Sequence, residues 1–144
     1  MALAKTVYTA RATTTGGREN GTSKSSDGQL SVVLNKPVEM GGSGQGTNPE
    51  QLFAAGYSAC FMGAMQFMAG TMKLPFPADA SITCDVGFGP LAGGVPGFGI
   101  SAAMAITLPG MDRETGQKLI EAAHKVCPYS NATRGNIDVT LTLV

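Results

Sequence analysis

The stretch running from "GTNPEQLFAAGYSACF" to "KLPFP" most constrains the fold of this chain, because it specifies a helix at both ends. Asn48 suits the N-cap, Pro49 the first helical position and Gln51 the reciprocal capping site. The pattern predicts a helix from Pro49 to about Met72, where "KLPFP" stops it. Strand signals lie on either side. Before the helix, "KTVYTARATT" and "SKSSDGQLSVVL", separated by "TGGREN", predict a meander of two or three strands with a hairpin signal at Asp27-Gly28. After it, "ASITCDVGFG" and "FGISAAMAITL" predict a hairpin across the loop "GPLAGGVPG". Asp112 suits the N-cap of a second helix, "RETGQKLIEAAHKVC", ended by Pro128. In "NIDVTLTLV" the apolar Ile137, Val139, Leu141 and Leu143 alternate with polar residues, as in a half-buried strand. Strands in groups around two separated helices predict an α+β fold of antiparallel hairpins packed on helices, not a doubly wound sheet. No internal repeat or domain boundary interrupts the pattern, so a single domain over residues 1–144 is expected.

Charge narrows the possible partners. Ten basic residues balance ten acidic ones, and only 14% of the chain is charged. Such a chain carries no field that would gather nucleic acid or an anionic membrane, and neither is expected as a partner. The N-terminal "MALAKTVYTARATT" holds no apolar segment of signal-peptide length, and no stretch approaches the roughly 18 apolar residues of a membrane span. A cytoplasmic protein is the expectation. Three cysteines with no CxxC pair fit neither a secreted disulfide framework nor a zinc site.

Each thiol is therefore judged by its surroundings. Cys84 alternates with its neighbours on "SITCDV" and reads as a core or strand-face thiol. Cys60 lies mid-helix, three, four or seven positions from Phe53, Gly56, Tyr57, Gly63, Ala64 and Phe67. The small residues at 56, 60, 63 and 64 form a stripe along which another helix can approach closely. On the second helix Leu119, Ile120, Ala123, Val126 and Cys127 share a face. Helix axes usually sit about 8 to 10 Å apart, and a disulfide needs its Cα atoms roughly 4.4 to 6.8 Å apart. Small-residue stripes bring that within reach, so spacing permits a Cys60–Cys127 pair and equally permits two separate core thiols. A reactive Cys60 would need a cation, since mid-helix it has no N-terminus of its own helix to draw on and an apolar setting raises a thiol pKa. The candidates are Arg11, Arg18, Arg113 and Arg134. The lone His124, near the end of the second helix, reads as a helix-dipole residue and not a base.

"GTNPEQLFAAGYSACF" and "HKVCPYSNATRGNIDV" closely resemble the two cysteine segments of the organic hydroperoxide resistance proteins (Ohr), a branch of the OsmC superfamily. The resemblance extends through "YTARATTTGGREN", "SSDGQL" and "LPGMDRET", and so covers essentially the whole chain. It implies an intertwined homodimer of α+β subunits with antiparallel sheets packed around two main helices and reactive sites at the interface. It also implies a thiol peroxidase that reduces organic hydroperoxides with no metal, haem or bound cofactor. The implied reductant is a lipoylated protein or another dithiol such as dihydrolipoamide. By motif match Cys60 is the expected peroxidatic thiol and Cys127 the resolving one, while Arg18 in "GGRE" and Glu50 in "NPEQ" are the expected activating pair. The loop "GPLAGGVPGFG" looks longer than is usual in the family, and Cys84 is an additional thiol.

On that resemblance, Arg18 stabilises the Cys60 thiolate and Glu50 holds the guanidinium by a charge-assisted hydrogen bond. Ten residues along one straight helix separate Glu50 from Cys60 by about 15 Å axially and about 80° around the axis. Arg18 and Glu50 are therefore expected to reach Cys60 across the dimer interface unless the helix breaks near Gly56. Phe53, Phe61, Met65, Phe67 and Met68, with "LPFP", offer an apolar lining for an alkyl chain and favour bulky peroxides over hydrogen peroxide. Two other readings compete: the neighbouring OsmC branch with a different peroxide preference, and a redox sensor or small-molecule binding protein switched by the same disulfide.

Overall fold

The computed structural model describes residues 1–144, which form two compact units, Met1–Pro49 and Glu50–Val144. In the first, strands β1 (Ala12–Thr15), β2 (Gly21–Ser25) and β3 (Ser31–Leu34) form an antiparallel meander in that order. Asp27-Gly28 turns β2 into β3 as its sequence predicts: the Gly28 N–H donates to the Ser25 carbonyl at 3.0 Å, and the Asp27 carboxylate accepts from the Gln29 N–H at 3.1 Å. β1 is shorter than expected. Its partner β2 ends opposite Ala12, so the strand-forming residues before it meet no ladder in this sheet, and Val7 and Tyr8 stay 91% and 78% exposed.

The turn between β1 and β2 is tight. Gly16 and Gly17 both adopt φ of 75°, the left-handed region open to glycine, and a Cβ on Gly21 would lie 2.1 Å from the Gly17 carbonyl oxygen. The buried Asn35 amide fixes this turn from below, accepting from the Asn20 N–H at 3.0 Å and donating to the Gln45 carbonyl at 2.8 Å. Arg18 is carried by this rigid turn.

The second unit takes up α1 (Pro49–Thr71) from its second residue, the helix itself starting immediately after Asn48. Strands β4 (Ser81–Pro90) and β5 (Phe98–Thr107) then pair along their full length, joined by a loop in which Gly93, Gly94 and Gly97 take positive φ. Next come α2 (Arg113–Val126), α3 (Pro128–Thr133) and β6 (Val139–Leu143). The Asp112 side chain caps α2 as expected, accepting from the Thr115 N–H at 2.9 Å. The sheet order is β4-β5-β6, and here the all-antiparallel expectation needs correcting, because β6 runs parallel to β5. Two helices intervene between them, and such a crossover returns the chain in the same direction.

The core lies between this sheet and the helices. α1 contributes Tyr57, Phe61, Ala64, Met65 and Ala69, whose spacing of three or four residues puts them on one stripe. α2 adds Leu119, Ile120 and Ala123, and the sheet adds Ala102, Met104, Ile106 and Leu143. Cys84 pairs with Met104 across the ladder and packs against the same core, as a strand-face thiol does. By length and composition α1 is apolar enough to cross a membrane, which corrects the expectation that no stretch approaches such a span. Its Ala, Gly and Met are apolar without bulk, and its Tyr57–Ala69 stripe is buried in the protein's own core.

Candidate functional site

Cys127 is the single residue between α2 and α3. Its φ of −63° and ψ of 123° break the helical path, and the sequence expectation that it ends α2 as a helical residue is corrected accordingly. Pro128 is the cause: it has no N–H to continue α2, yet its fixed φ suits the first position of a new helix. Both helices grip the backbone of the cysteine. Its N–H donates to the Ala123 carbonyl at 2.9 Å, and its carbonyl accepts from the Asn131 N–H at 2.9 Å. Val126, expected on the core face, is 41% exposed, while Cys127 is fully buried.

The joint aims Cys127 at α1. Its thiol donates to the Cys60 sulfur with the two Sγ atoms 3.6 Å apart, across 67 positions of sequence. Both are free thiols, Cys60 half-buried. The small-residue stripe permits the approach, and at its Gly56 end the residue that closes in comes from α3, whereas nothing lies within 4 Å of a Cβ built on Gly63. A Cβ on Gly56 would lie 3.2 Å from the Tyr129 hydroxyl oxygen, and Tyr129 packs against the rings of Phe53 and Tyr57 at centroid distances of 6.0 and 5.7 Å.

Burial pushes the Cys60 thiol above its ordinary pKa, and the neighbouring Cys127 adds to the rise, while a hydrogen bond from the Tyr129 backbone opposes it. That last group went unseen in the sequence. Cys60 has no terminus of its own helix nearby, yet the second residue of α3 turns its N–H toward it. The clue was Pro128, which starts a helix as readily as it ends one.

Sequence reasoning also missed a buried hydroxyl cluster. The Tyr57 hydroxyl lies 3.0 Å from Ser130 Oγ and 3.1 Å from Thr133 Oγ1, and Thr133 Oγ1 donates to the Tyr129 carbonyl at 2.9 Å. At the other end of α3, the Arg134 guanidinium donates to the His124 carbonyl of α2 and to Asn131 Oδ1, the latter at 2.9 Å. Arg134 is thus engaged in tying α3 to α2. Arg11 and Arg113 are exposed, and Arg18 stands in its glycine turn in the first unit.

Glu50 opens α1, which runs unbroken through Gly56, so Glu50 and Cys60 stand about 15 Å apart along one axis. Of the apolar residues expected to meet substrate, Phe53 is half-buried against Tyr57 and Tyr129, and Phe67 is 67% exposed. Phe61 and Met65 have zero exposure and belong to the core. Two clefts in this unit, one of about 340 Å³ between Leu74–Pro77 and Pro109–Asp112 and one of about 490 Å³ beside the β4–β5 loop, include neither Cys60 nor Cys127 in their walls. No three His, Cys, Asp or Glu side chains gather to hold a metal ion.

His124 departs from its expected helix-dipole role. Its Nδ1 is buried without a hydrogen-bond partner, and burial together with the Arg134 charge lowers its pKa. The unfolded chain then binds the proton more readily, so stability should decline as the pH falls through about 6.5 and below. Urea unfolding at pH 5.5 and 7.5 checks this: His124→Gln is expected to shrink the difference between the two midpoints.

The comparisons with known proteins agree with this architecture. A family model described as OsmC-like protein matches residues 42–142. The organic hydroperoxide resistance protein of Xanthomonas axonopodis pv. citri is 58% identical over 140 residues, covering 96% of each chain. The crystal structure of an organic hydroperoxide resistance protein from Legionella pneumophila is 42% identical, with a TM-score of 0.89 over 96% of this chain and 98% of that one. OhrB of Bacillus subtilis is 41% identical in its crystal structure, with a TM-score of 0.86 over 96% of this chain and all of the other. With matches of this extent at both the sequence and the structural level, the chain belongs to the OsmC-like family, in its organic hydroperoxide resistance branch.

Proposed function

We propose that this protein is a cytoplasmic, homodimeric thiol peroxidase that reduces organic hydroperoxides to alcohols. The observation that carries the reading is the 3.6 Å contact between two free thiols in an apolar setting, one of them fully buried at a helix joint. The Cys60 thiolate attacks the terminal oxygen of ROOH, the O–O bond breaks, and the alkoxide leaves as ROH after taking a proton. Cys60 is left as a sulfenic acid. The Cys127 sulfur then attacks the Cys60 sulfur, expelling the hydroxyl as water and forming the disulfide. A dithiol, dihydrolipoamide or a lipoylated protein, returns both sulfurs to thiols by exchange and is itself oxidised to the cyclic disulfide.

Burial holds Cys60 toward its neutral thiol, so the first step needs a cation as well as the Tyr129 N–H. Arg18 is that cation, and Glu50 aligns its guanidinium by a charge-assisted hydrogen bond. Because α1 is unbroken, we place the Arg18 and Glu50 that serve a given Cys60 on the other subunit of the homodimer. The alkyl part of the peroxide lies along Phe53 and Phe67, backed by the buried Phe61 and Met65. No metal or bound cofactor takes part in this scheme.

The test is consumption of cumene hydroperoxide in the presence of dihydrolipoamide. The wild-type protein is expected to turn over many times, and faster than with hydrogen peroxide, which has no apolar part to bury. A redox sensor would react once and stop, and that result would sink the enzymatic reading. Arg18→Ala is expected to slow the peroxide step about 10- to 1000-fold near neutral pH and to move the rise of the pH–rate profile upward.

A further inference from the structure

The cluster of hydroxyls around Tyr57 has no part in that chemistry, yet it sits where it can govern it. Tyr57 is three residues before Cys60 on α1, and Ser130 is three residues after Cys127, at the first full turn of α3. The Tyr57 side chain is fully buried, as is Ser130, and Thr133 is 6% exposed. One hydroxyl therefore spans the two elements that carry the two sulfurs.

Counting protons fixes the direction of the network. Thr133 has one hydroxyl proton and gives it to the backbone carbonyl of Tyr129. Its oxygen can then only accept from Tyr57, which leaves the Tyr57 oxygen to accept from Ser130. Each of the three protons is used once, and no buried hydroxyl is left over. A chain of this kind is rigid, because breaking any link strands a polar group out of reach of water.

The sulfurs are 3.6 Å apart and must close by about 1.5 Å to bond. The Cys127 backbone is gripped on both sides, its carbonyl held by α3 itself. With that backbone held, the spacing of α3 and α1 decides whether rotation of the cysteine side chains can bring the sulfurs together. A buried link that sets this spacing is the Tyr57 hydroxyl, whose residue is three positions from Cys60 and whose partner Ser130 is three from Cys127.

We propose that Tyr57 is a positioning residue for disulfide closure: its buried hydrogen bonds to Ser130 and Thr133 set the distance and angle at which Cys127 meets the oxidised Cys60. The assignment rests on the two-cysteine reading above and concerns only its second step. In that step the Cys127 sulfur bonds to the Cys60 sulfur while the sulfenic hydroxyl leaves as water, taking the thiol proton. Tyr57 touches neither sulfur in this scheme and carries no proton for it.

The two steps can be timed separately by mixing reduced protein with cumene hydroperoxide, quenching with a thiol-blocking reagent, and weighing the intact chain. Wild type is expected to gain one oxygen only transiently and then to lose two hydrogens relative to the dithiol. In Tyr57→Phe the first step should stay within about twofold of wild type, while closure slows about 10- to 100-fold, the usual cost of misplacing reacting atoms by an ångström or less. The lingering sulfenic acid should then take up a second oxygen at high peroxide, giving sulfinic acid that wild type escapes. Ser130→Ala, a smaller change that keeps the tyrosine, should show the same split to a lesser degree and stands in if Tyr57→Phe folds poorly. If wild type closes its disulfide and both variants close it as fast, the assignment to Tyr57 fails while the two-cysteine reading stands. If the variants lose both steps in parallel, the network is merely structural and the assignment fails again. A wild-type chain that never forms the Cys60–Cys127 disulfide overturns the underlying reading and this assignment with it.

Discussion

Serine in place of Cys60 is expected to leave no measurable peroxide turnover, a loss of more than about a thousandfold, because a serine hydroxyl stays protonated and is a poor nucleophile without an adjacent base. No histidine or carboxylate could act as that base here. The only histidine, His124, lies on α2 with its ring against Phe61 at a centroid distance of 6.5 Å and its pKa lowered by burial. The Glu50 of the same chain is nearly three helical turns from position 60, and the Glu50 proposed to come from the other subunit is engaged with the Arg18 guanidinium. Serine in place of Cys127 should behave differently. The first reaction survives, so the variant consumes one equivalent of peroxide per chain in forming the sulfenic acid, uses one more for each further oxygen as Cys60 goes on to sulfinic and sulfonic acid, and then stops. The measurement is peroxide consumed per chain, followed by the mass of the product. A Cys127→Ser variant that turned over steadily with dihydrolipoamide at the wild-type rate would remove Cys127 from the cycle.

Truncating Phe61 to alanine is expected to cost about 3 to 5 kcal/mol of stability, a large part of the roughly 5 to 15 kcal/mol by which a domain of this size is stable. Phe61 is fully buried, on the stripe with Tyr57, Met65 and Ala69, and it adjoins Cys60 in sequence. The loss combines the transfer of the ring from the core with the cavity left between α1 and α2, where His124 is already in ring contact. Urea or thermal unfolding reads this directly. The accompanying measurement is the preference for cumene hydroperoxide over hydrogen peroxide, which should be unchanged in the folded fraction, since the ring has no surface to offer a ligand. Phe53→Ala makes the contrast: it should cost less stability and change that preference more.

Much of the fold was legible because its signals are local. Asn48-Pro49 and "KLPFP" bounded α1 to within a residue or so, Asp112 marked the start of α2, and the glycines of 93–97 marked the β4–β5 hairpin. What was not legible depends on distant partners. Period-two alternation identified β6 as a strand but carries no information about direction, which the α2–α3 crossover decides. Lys5–Arg11 has the composition of a strand, but β2 stops opposite Ala12. At six residues, α3 is too short to show a helical period, so Pro128 read as an end and not also as a beginning.

The site divides in the same way. Cys60 and Cys127 stood out by residue type and by motif, and their spacing allowed a meeting without requiring one. The break at Pro128 required it, by turning Cys127 out of α2 and toward α1. Tyr57 was visible only as a neighbour of Cys60, because its partners lie 73 and 76 positions away. A buried tyrosine gives no sign in the sequence of where its hydroxyl will be satisfied.

The 67 positions between the two sulfurs have one more consequence. In an unfolded chain, closing a ring of that length costs about 4 kcal/mol in chain entropy. Folding has already closed it, and the sulfurs wait in contact. By linkage, the free energy with which a Cys60–Cys127 bond would steady the oxidised chain against unfolding must equal the free energy by which folding favours oxidation of the dithiol. The reductant that resets the pair works against that term in every cycle. A monothiol opens the ring to a mixed disulfide that the freed cysteine can close again before a second molecule arrives, whereas a dithiol completes the exchange within one encounter.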